Sequence, residues 1–176
     1  MEGRSKAASA LERLRRRYRP ARVRVLFVGE APPASGRFFY RADSGLYRAF
    51  RDCFASVFPD IDDDTFLVSF RALGCYLVDL CGRPVDRLSV KQRKMACLKG
   101  EVSLARTLKR LSPKVVITVV RSIGPNAKRS VERANFRGRY IELPYPGRWH
   151  QHRTRFVRQL TCVLRERYHP LQRRIA

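Results

Sequence analysis

Pro113-Lys114-Val115-Val116-Ile117-Thr118-Val119-Val120 is the stretch on which the fold turns. Val115 to Val120 are all apolar or β-branched, so a strand here must be covered on both faces, as a central parallel strand is. Pro113 closes the helix before it, and Gly124-Pro125 opens another that runs through Ala134. Helix, strand, helix in that order is the repeating unit of a parallel α/β sheet.

Upstream, Val23 to Val28 (VRVLFV) is a second β-rich run, and it delivers the rigid loop Gly29-Glu30-Ala31-Pro32-Pro33. Ser44 to Ala55 reads as a helix capped by Ser44 or Asp43, with Leu46, Phe50 and Phe54 on one face. Thr65 to Phe70 and Tyr76 to Leu80 are apolar segments on either side of Gly74, and at least one of them is a strand. Leu88 to Leu111 predicts two helices broken near Gly100. Downstream, Arg139 to Leu143 is a last strand, Pro144 to Arg148 a tight loop, and Gln151 to Tyr168 a helix burying Phe156, Leu160, Val163 and Leu164.

The order predicts an α/β protein, a three-layer α/β/α sandwich with a central, mostly parallel sheet of four strands and ligand bound beyond the carboxyl ends of the strands. The 176 residues suit one domain, over residues 23–170. A basic helix or arm at 1–22 and a basic tail at 171–176 flank it, the first containing Arg13, Arg15, Arg16, Arg17 and Arg19.

Charge sets the expected partner. Lys and Arg number 38 against 15 Asp and Glu, a formal charge of +23 that opposes compaction unless a polyanion or counterions offset it. Of the 38, 31 are Arg, whose planar fork suits bidentate phosphate and guanine contacts. Nucleic acid, DNA or else RNA, is the partner this composition implies; an Arg-rich source proteome is the bland explanation. Cys53, Cys75, Cys81, Cys97 and Cys162 contain no C-x-x-C pair and are odd in number, which argues for reduced thiols and against a disulfide framework or a zinc site. No apolar run reaches transmembrane length and no signal region follows the N-terminal arginines. A soluble cytoplasmic monomer is expected, nucleoid-associated if bacterial, with no membrane partner, metal or cofactor.

Two loops follow predicted strands and open on one crevice in such a sheet: Gly29 to Pro33, and Leu143-Pro144-Tyr145-Pro146-Gly147. Glu30 places a carboxylate directly after a strand, where it can orient water or contact a ligand; the bland alternative is a solvated Glu on a Pro-stiffened turn.

Phe27-Val28-Gly29-Glu30-Ala31-Pro32 resembles the first motif of the bacterial and archaeal uracil-DNA glycosylases. Pro113-Lys114-Val115-Val116-Ile117 followed by Ser122-Ile123-Gly124-Pro125-Asn126-Ala127 is similar to that family's third strand and its turn into a helix. Leu143 to Gly147 sits where the family has its second motif, a Leu-Pro-His-Pro-Ser type loop. The three ordered matches span roughly residues 23–170.

The resemblance implies a pocket for a flipped base, bordered by Glu30, Ala31 and Pro32, with Phe38, Phe39 or Tyr40 as the stacking platform. Core packing is the alternative for at least two of these three rings. The base-edge Asn of many members is replaced, either by Ser69 or, if the strand is the later one, by Asp79, which in its apolar context needs a partner or a function. A helix or turn cap is the other reading of Asp79.

The family's second-motif His, which stabilises the departing base anion, is replaced by Tyr145, and the Ser by Gly147. His150 or His152 would have to supply positive charge to the leaving group, or else serve as a solvated phosphate contact. Some relatives hold an iron-sulfur cluster through a Cys pair ahead of the first motif; no Cys precedes Cys53 here. Arg37, Arg41, Arg121, Lys128, Gly147, Arg148, Arg153 and Arg155 surround the proposed mouth and would grip phosphates in a salt-sensitive way.

Three functions are compatible with these residues. A DNA base glycosylase would hydrolyse the N-glycosidic bond of uracil or another deaminated or damaged base. A catalytically diverged module would bind single-stranded or structured DNA or RNA in the same crevice. A nucleotide or nucleoside enzyme has less need of so basic a surface.

Overall fold

A computed structural model describes residues 2–62, 64–147 and 150–172, with side chains described from 9 to 168 within those spans. Its core is a sheet of four parallel strands, β1 (Val25–Gly29), β2 (Cys75–Asp79), β3 (Val115–Thr118) and β4 (Arg139–Glu142), in the order β2-β1-β3-β4. The two inner strands are the two most apolar runs, as burial on both faces requires. Helices cover both faces, giving the α/β/α sandwich that the alternation of strand and helix predicts.

Side-chain alternation decides what each face holds. Phe27 of β1 packs against Phe50 of α2 (Gly45–Ala55) and Phe70 of α3 (Phe66–Ala72). Phe156 of α6 (His150–Gln172) joins the same cluster through Phe50, and Tyr168 closes it by donating to the Leu73 carbonyl, 3.0 Å away. The opposite layer is formed by α4 (Val90–Leu111) and α5 (Gly124–Arg133), joined by Glu101, which accepts from the Asn126 amide at 2.7 Å and from Arg129. A further helix, α1 (Glu2–Arg17), packs Leu11 and Leu14 against the core.

The cap of α2 is Ser44, whose hydroxyl accepts from the Tyr47 amide; Asp43 instead accepts from the Phe38 amide at 2.6 Å. One open reading is decided and one expectation is corrected. Residues 66–72 form α3, leaving β2 at 75–79 as the second strand. Phe66 and Phe70 are buried four residues apart while Val68 between them is 61% exposed, a helical and not an alternating pattern.

Likewise α4 runs unbroken through Gly100. The glycine serves a close approach, since a Cβ there would stand 2.4 Å from the carbonyl oxygen of Leu80. The helix begins at a reciprocal capping box between Ser89 and Gln92 and ends at Ser112, which takes the left-handed conformation at φ 42°.

β2 is an edge strand with free backbone groups on its outer side. Tyr40 covers those of Leu77: its hydroxyl accepts from the Leu77 amide at 2.7 Å and donates to the Leu77 carbonyl at 3.0 Å. Tyr18, just beyond α1, stacks on the Tyr40 ring at 5.6 Å, so α1 lies beside this edge. No helix among the described residues is long and apolar enough to cross a membrane.

Candidate functional site at the strand ends

Because all four strands are parallel, the segments after Gly29, Asp79, Thr118 and Glu142 leave the sheet at one end. The first two are tied together by the backbone, with Leu80 donating to the Gly29 carbonyl at 2.9 Å and Cys81 to the Glu30 carbonyl at 2.8 Å. Ala34 donates to Asp86 at 2.6 Å, joining the loop after β1 to the one after β2. Tyr145 belongs to the same end. Partial burial and the neighbouring Asp86 carboxylate push its phenol up, so it stays neutral at physiological pH. Its ring folds over Gly147, where a Cβ would stand 2.8 Å away.

Glu30 does not face open solvent. Arg93 of α4 grips both its oxygens, Nε donating to Oε1 at 2.6 Å and Nη2 to Oε2. The Cys97 thiol lies 3.9 Å from the same carboxylate and 3.8 Å from Cys81. Ala31 is partly buried and Pro32 buried at the root of the loop. Both oxygens of the carboxylate are thereby engaged by charge-assisted hydrogen bonds, so neither is free to position a water without giving one up.

Asp79 ends β2 beside Gly29, so close that a Cβ on Gly29 would stand 2.8 Å from Oδ1. Its carboxylate is paired with Arg15 of α1. Burial pushes the Asp79 carboxyl up and Arg15 opposes that shift. The guanidinium also sits 5.4 Å above the Phe38 ring and donates to Glu12 at 2.9 Å. The partner Asp79 required is thus supplied from 64 residues upstream.

Other expected site residues are placed elsewhere. Ser69 lies on α3, because residues 66–72 are helical, and takes no position at a strand end. Phe39 and Tyr40 are 3% and 2% exposed, packed into the aromatic core, so neither offers a ring face to a base. Phe38 is also buried, beneath Arg15.

His150 and His152 are exposed in the first turn of α6. His150 lines an open depression of about 730 Å³ between α6 and the end of α2, together with Ser56, Thr154, Arg158, Thr161 and Arg165. Glu30 and Tyr145 are not among that depression's walls. Arg153 is paired with Asp52 of α2. Arg37, Arg41, Arg121, Lys128 and Arg155 are exposed, and Arg41 donates to the Gly36 carbonyl at 3.1 Å. Arg148 lies outside the described residues.

Sequence reasoning missed Arg15 and Arg93 as parts of the site. Each comes from a helix remote in sequence, and nothing local distinguishes them from the surrounding arginines. No family model matches the chain, and no curated protein matches it.

Proposed function

We propose that this chain is a nucleic-acid-binding protein whose strand-end crevice receives an unstacked base, built like a uracil-DNA glycosylase but diverged from its hydrolytic chemistry. One observation carries the reading. Four acidic side chains are held by arginines, Glu30 by Arg93, Asp79 by Arg15, Asp52 by Arg153 and Glu101 by Arg129, while further arginines are exposed. Arg37, Arg121, Arg155, Arg158 and Arg165 enter no ion pair among the described residues, so the surplus charge is presented outward. Such a surface attracts a polyanion and releases counterions when it binds.

Hydrolysis is the second reading, favoured by one feature: Glu30 follows β1 at the position where the resemblance puts a water-orienting carboxylate, and its side chain retains 14% exposure. Against it stand the Arg93 clamp and the absence of an electrophile at Tyr145. The leaving base anion needs a donor or positive charge close by, and His150 lines a different depression.

The experiment is a pair of assays on the full chain. Labelled single- and double-stranded DNA and RNA are titrated at several salt concentrations. Oligonucleotides containing uracil, hypoxanthine or xanthine are then incubated with protein and cleaved with alkali. Salt-dependent binding without strand breaks is the expected result. Breaks that disappear in Glu30→Gln would establish the glycosylase instead, and no binding to any nucleic acid would remove both readings.

A further inference from the structure

α1 is joined to the carboxyl end of β2 by an unusual contact. The Arg15 guanidinium lies over the Phe38 ring and donates to the buried carboxylate of Asp79, with its side chain 13% exposed. Its Nε is buried without a hydrogen-bond partner among the described residues, so the group is not fully satisfied where it sits. A planar hydrogen-bond donor held over an aromatic ring and read by a carboxylate offers the same two contacts by which a protein holds a nucleobase.

We propose that Arg15 is an intramolecular stand-in for a guanine base, and that Phe38 and Asp79 form a guanine-selective site that opens when α1 leaves. The proposal rests on the crevice being a base-binding site and adds which base it takes and what guards it.

Selectivity follows from the donor pattern each base offers a carboxylate. Guanine contains a guanidine unit, and its N1–H and 2-amino group are two adjacent donors. Adenine and cytosine place an acceptor nitrogen beside their single amino group, and that lone pair faces the carboxylate unfavourably. Uracil offers one N–H between two carbonyl oxygens, both of which Asp79 repels. With Asp at this position the site is therefore mismatched to uracil.

Besides this ion pair the latch is held by a small apolar seam and the Tyr18–Tyr40 stack. Leu11, Leu14 and Tyr18 are only partly buried, while Arg13, Arg16, Arg17 and Arg19 face solvent. Guanine is larger than a guanidinium, so the base enters only when the helix lifts. The apparent affinity of the closed protein is reduced by the fraction of molecules that are open.

Two full-length variants test this. Arg15→Glu sets a second carboxylate against Asp79 and releases α1. Tyr18→Ser is gentler, removing the ring stacked on Tyr40 while leaving Asp79 paired. Guanosine, adenosine, cytidine and uridine are titrated calorimetrically into each variant and the parent, with circular dichroism confirming the fold. Either variant should bind guanosine about tenfold more tightly than the parent does, as expected when a closed fraction is opened. It should also prefer guanosine over the other three nucleosides, and adding Asp79→Asn should erase that preference.

Folded variants that gain no guanosine affinity, or bind all four nucleosides alike, would overturn the proposal. If Arg15→Glu does not fold, Tyr18→Ser alone decides. The oligonucleotide titrations of the parent report separately on the basic surface, so loss of the guanine site and loss of nucleic-acid binding are distinct results.

Discussion

Arg93 and Glu30 form a bidentate clamp that ties the first helical turn of α4 to the loop leaving β1. The carboxylate's charge is therefore already balanced before any phosphate arrives. Glu30→Gln should leave affinity for single-stranded DNA within about twofold of the parent, whereas Arg93→Ala, which exposes an unpaired carboxylate beside the bound strand, should weaken it by about threefold to tenfold. The double variant should recover most of the loss. A fluorescence-anisotropy cycle over the four proteins measures this, and equal losses for both single variants would contradict it.

Arg158 and Arg165 line the depression beside α6 together with Thr154 and Thr161, a row of donors facing one way. If phosphates lie along this row, each arginine contributes one released counterion. Arg158→Gln/Arg165→Gln should then lower the slope of log affinity against log salt by about 0.7 per arginine on single-stranded DNA. An unchanged slope would move the binding path away from α6.

The fold was legible in this sequence wherever one residue pattern had one structural meaning. Val115 to Val120 needed cover on both faces, and β3 lies inside the sheet. Residues 66–70 and 76–80 were equally apolar, and only the burial of Phe66 and Phe70 with Val68 outside separates helix from strand. Gly100 read as a helix breaker because its reason for being glycine is the carbonyl of Leu80, in another element. The site was less legible for the same reason. Glu30 and Asp79 could be singled out as unusual carboxylates at strand ends, but the arginines that hold them are specified by tertiary packing alone.

Gly100 offers a direct test of that close approach. Gly100→Ala should destabilise the protein by about 1–3 kcal/mol, because a methyl group must displace backbone and not a flexible side chain. This outweighs the modest gain in helix propensity that alanine brings. For a chain of this length each kcal/mol corresponds to a fall of about 2–4 °C in melting temperature. Gly82→Ala is the control, since nothing lies within 4 Å of a Cβ there, and calorimetry should find it near neutral.

The cysteines should differ sharply in reactivity. Cys53 and Cys75 are buried, and burial pushes both thiols up to about 12, leaving almost no thiolate at neutral pH. Cys162 is exposed on α6. A maleimide reagent at pH 7 should therefore label one thiol per native chain, lost in Cys162→Ser, with the remaining four reacting only after denaturation. Rapid labelling of Cys53 or Cys75 in the native protein would mean that the α2–α6 layer opens readily.

Glu101 supplies the acid limb of stability. Its side chain is 5% exposed between α4 and α5, where hydrogen bonds from Arg129 and Asn126 hold its carboxyl below the usual range against the opposing effect of burial. A carboxyl whose folded value is depressed binds protons more readily in the unfolded chain, so its stabilisation is fully present above the unfolded value and is lost as pH falls through the folded one. Below the ordinary glutamate range near pH 4.3, α4 and α5 should begin to separate. Glu101→Gln keeps the shape and one acceptor but cannot titrate. Its melting temperature should lie below the parent's at pH 7, and the gap should narrow as the pH is lowered towards 3. A constant gap across that range would assign the acid sensitivity to other carboxylates.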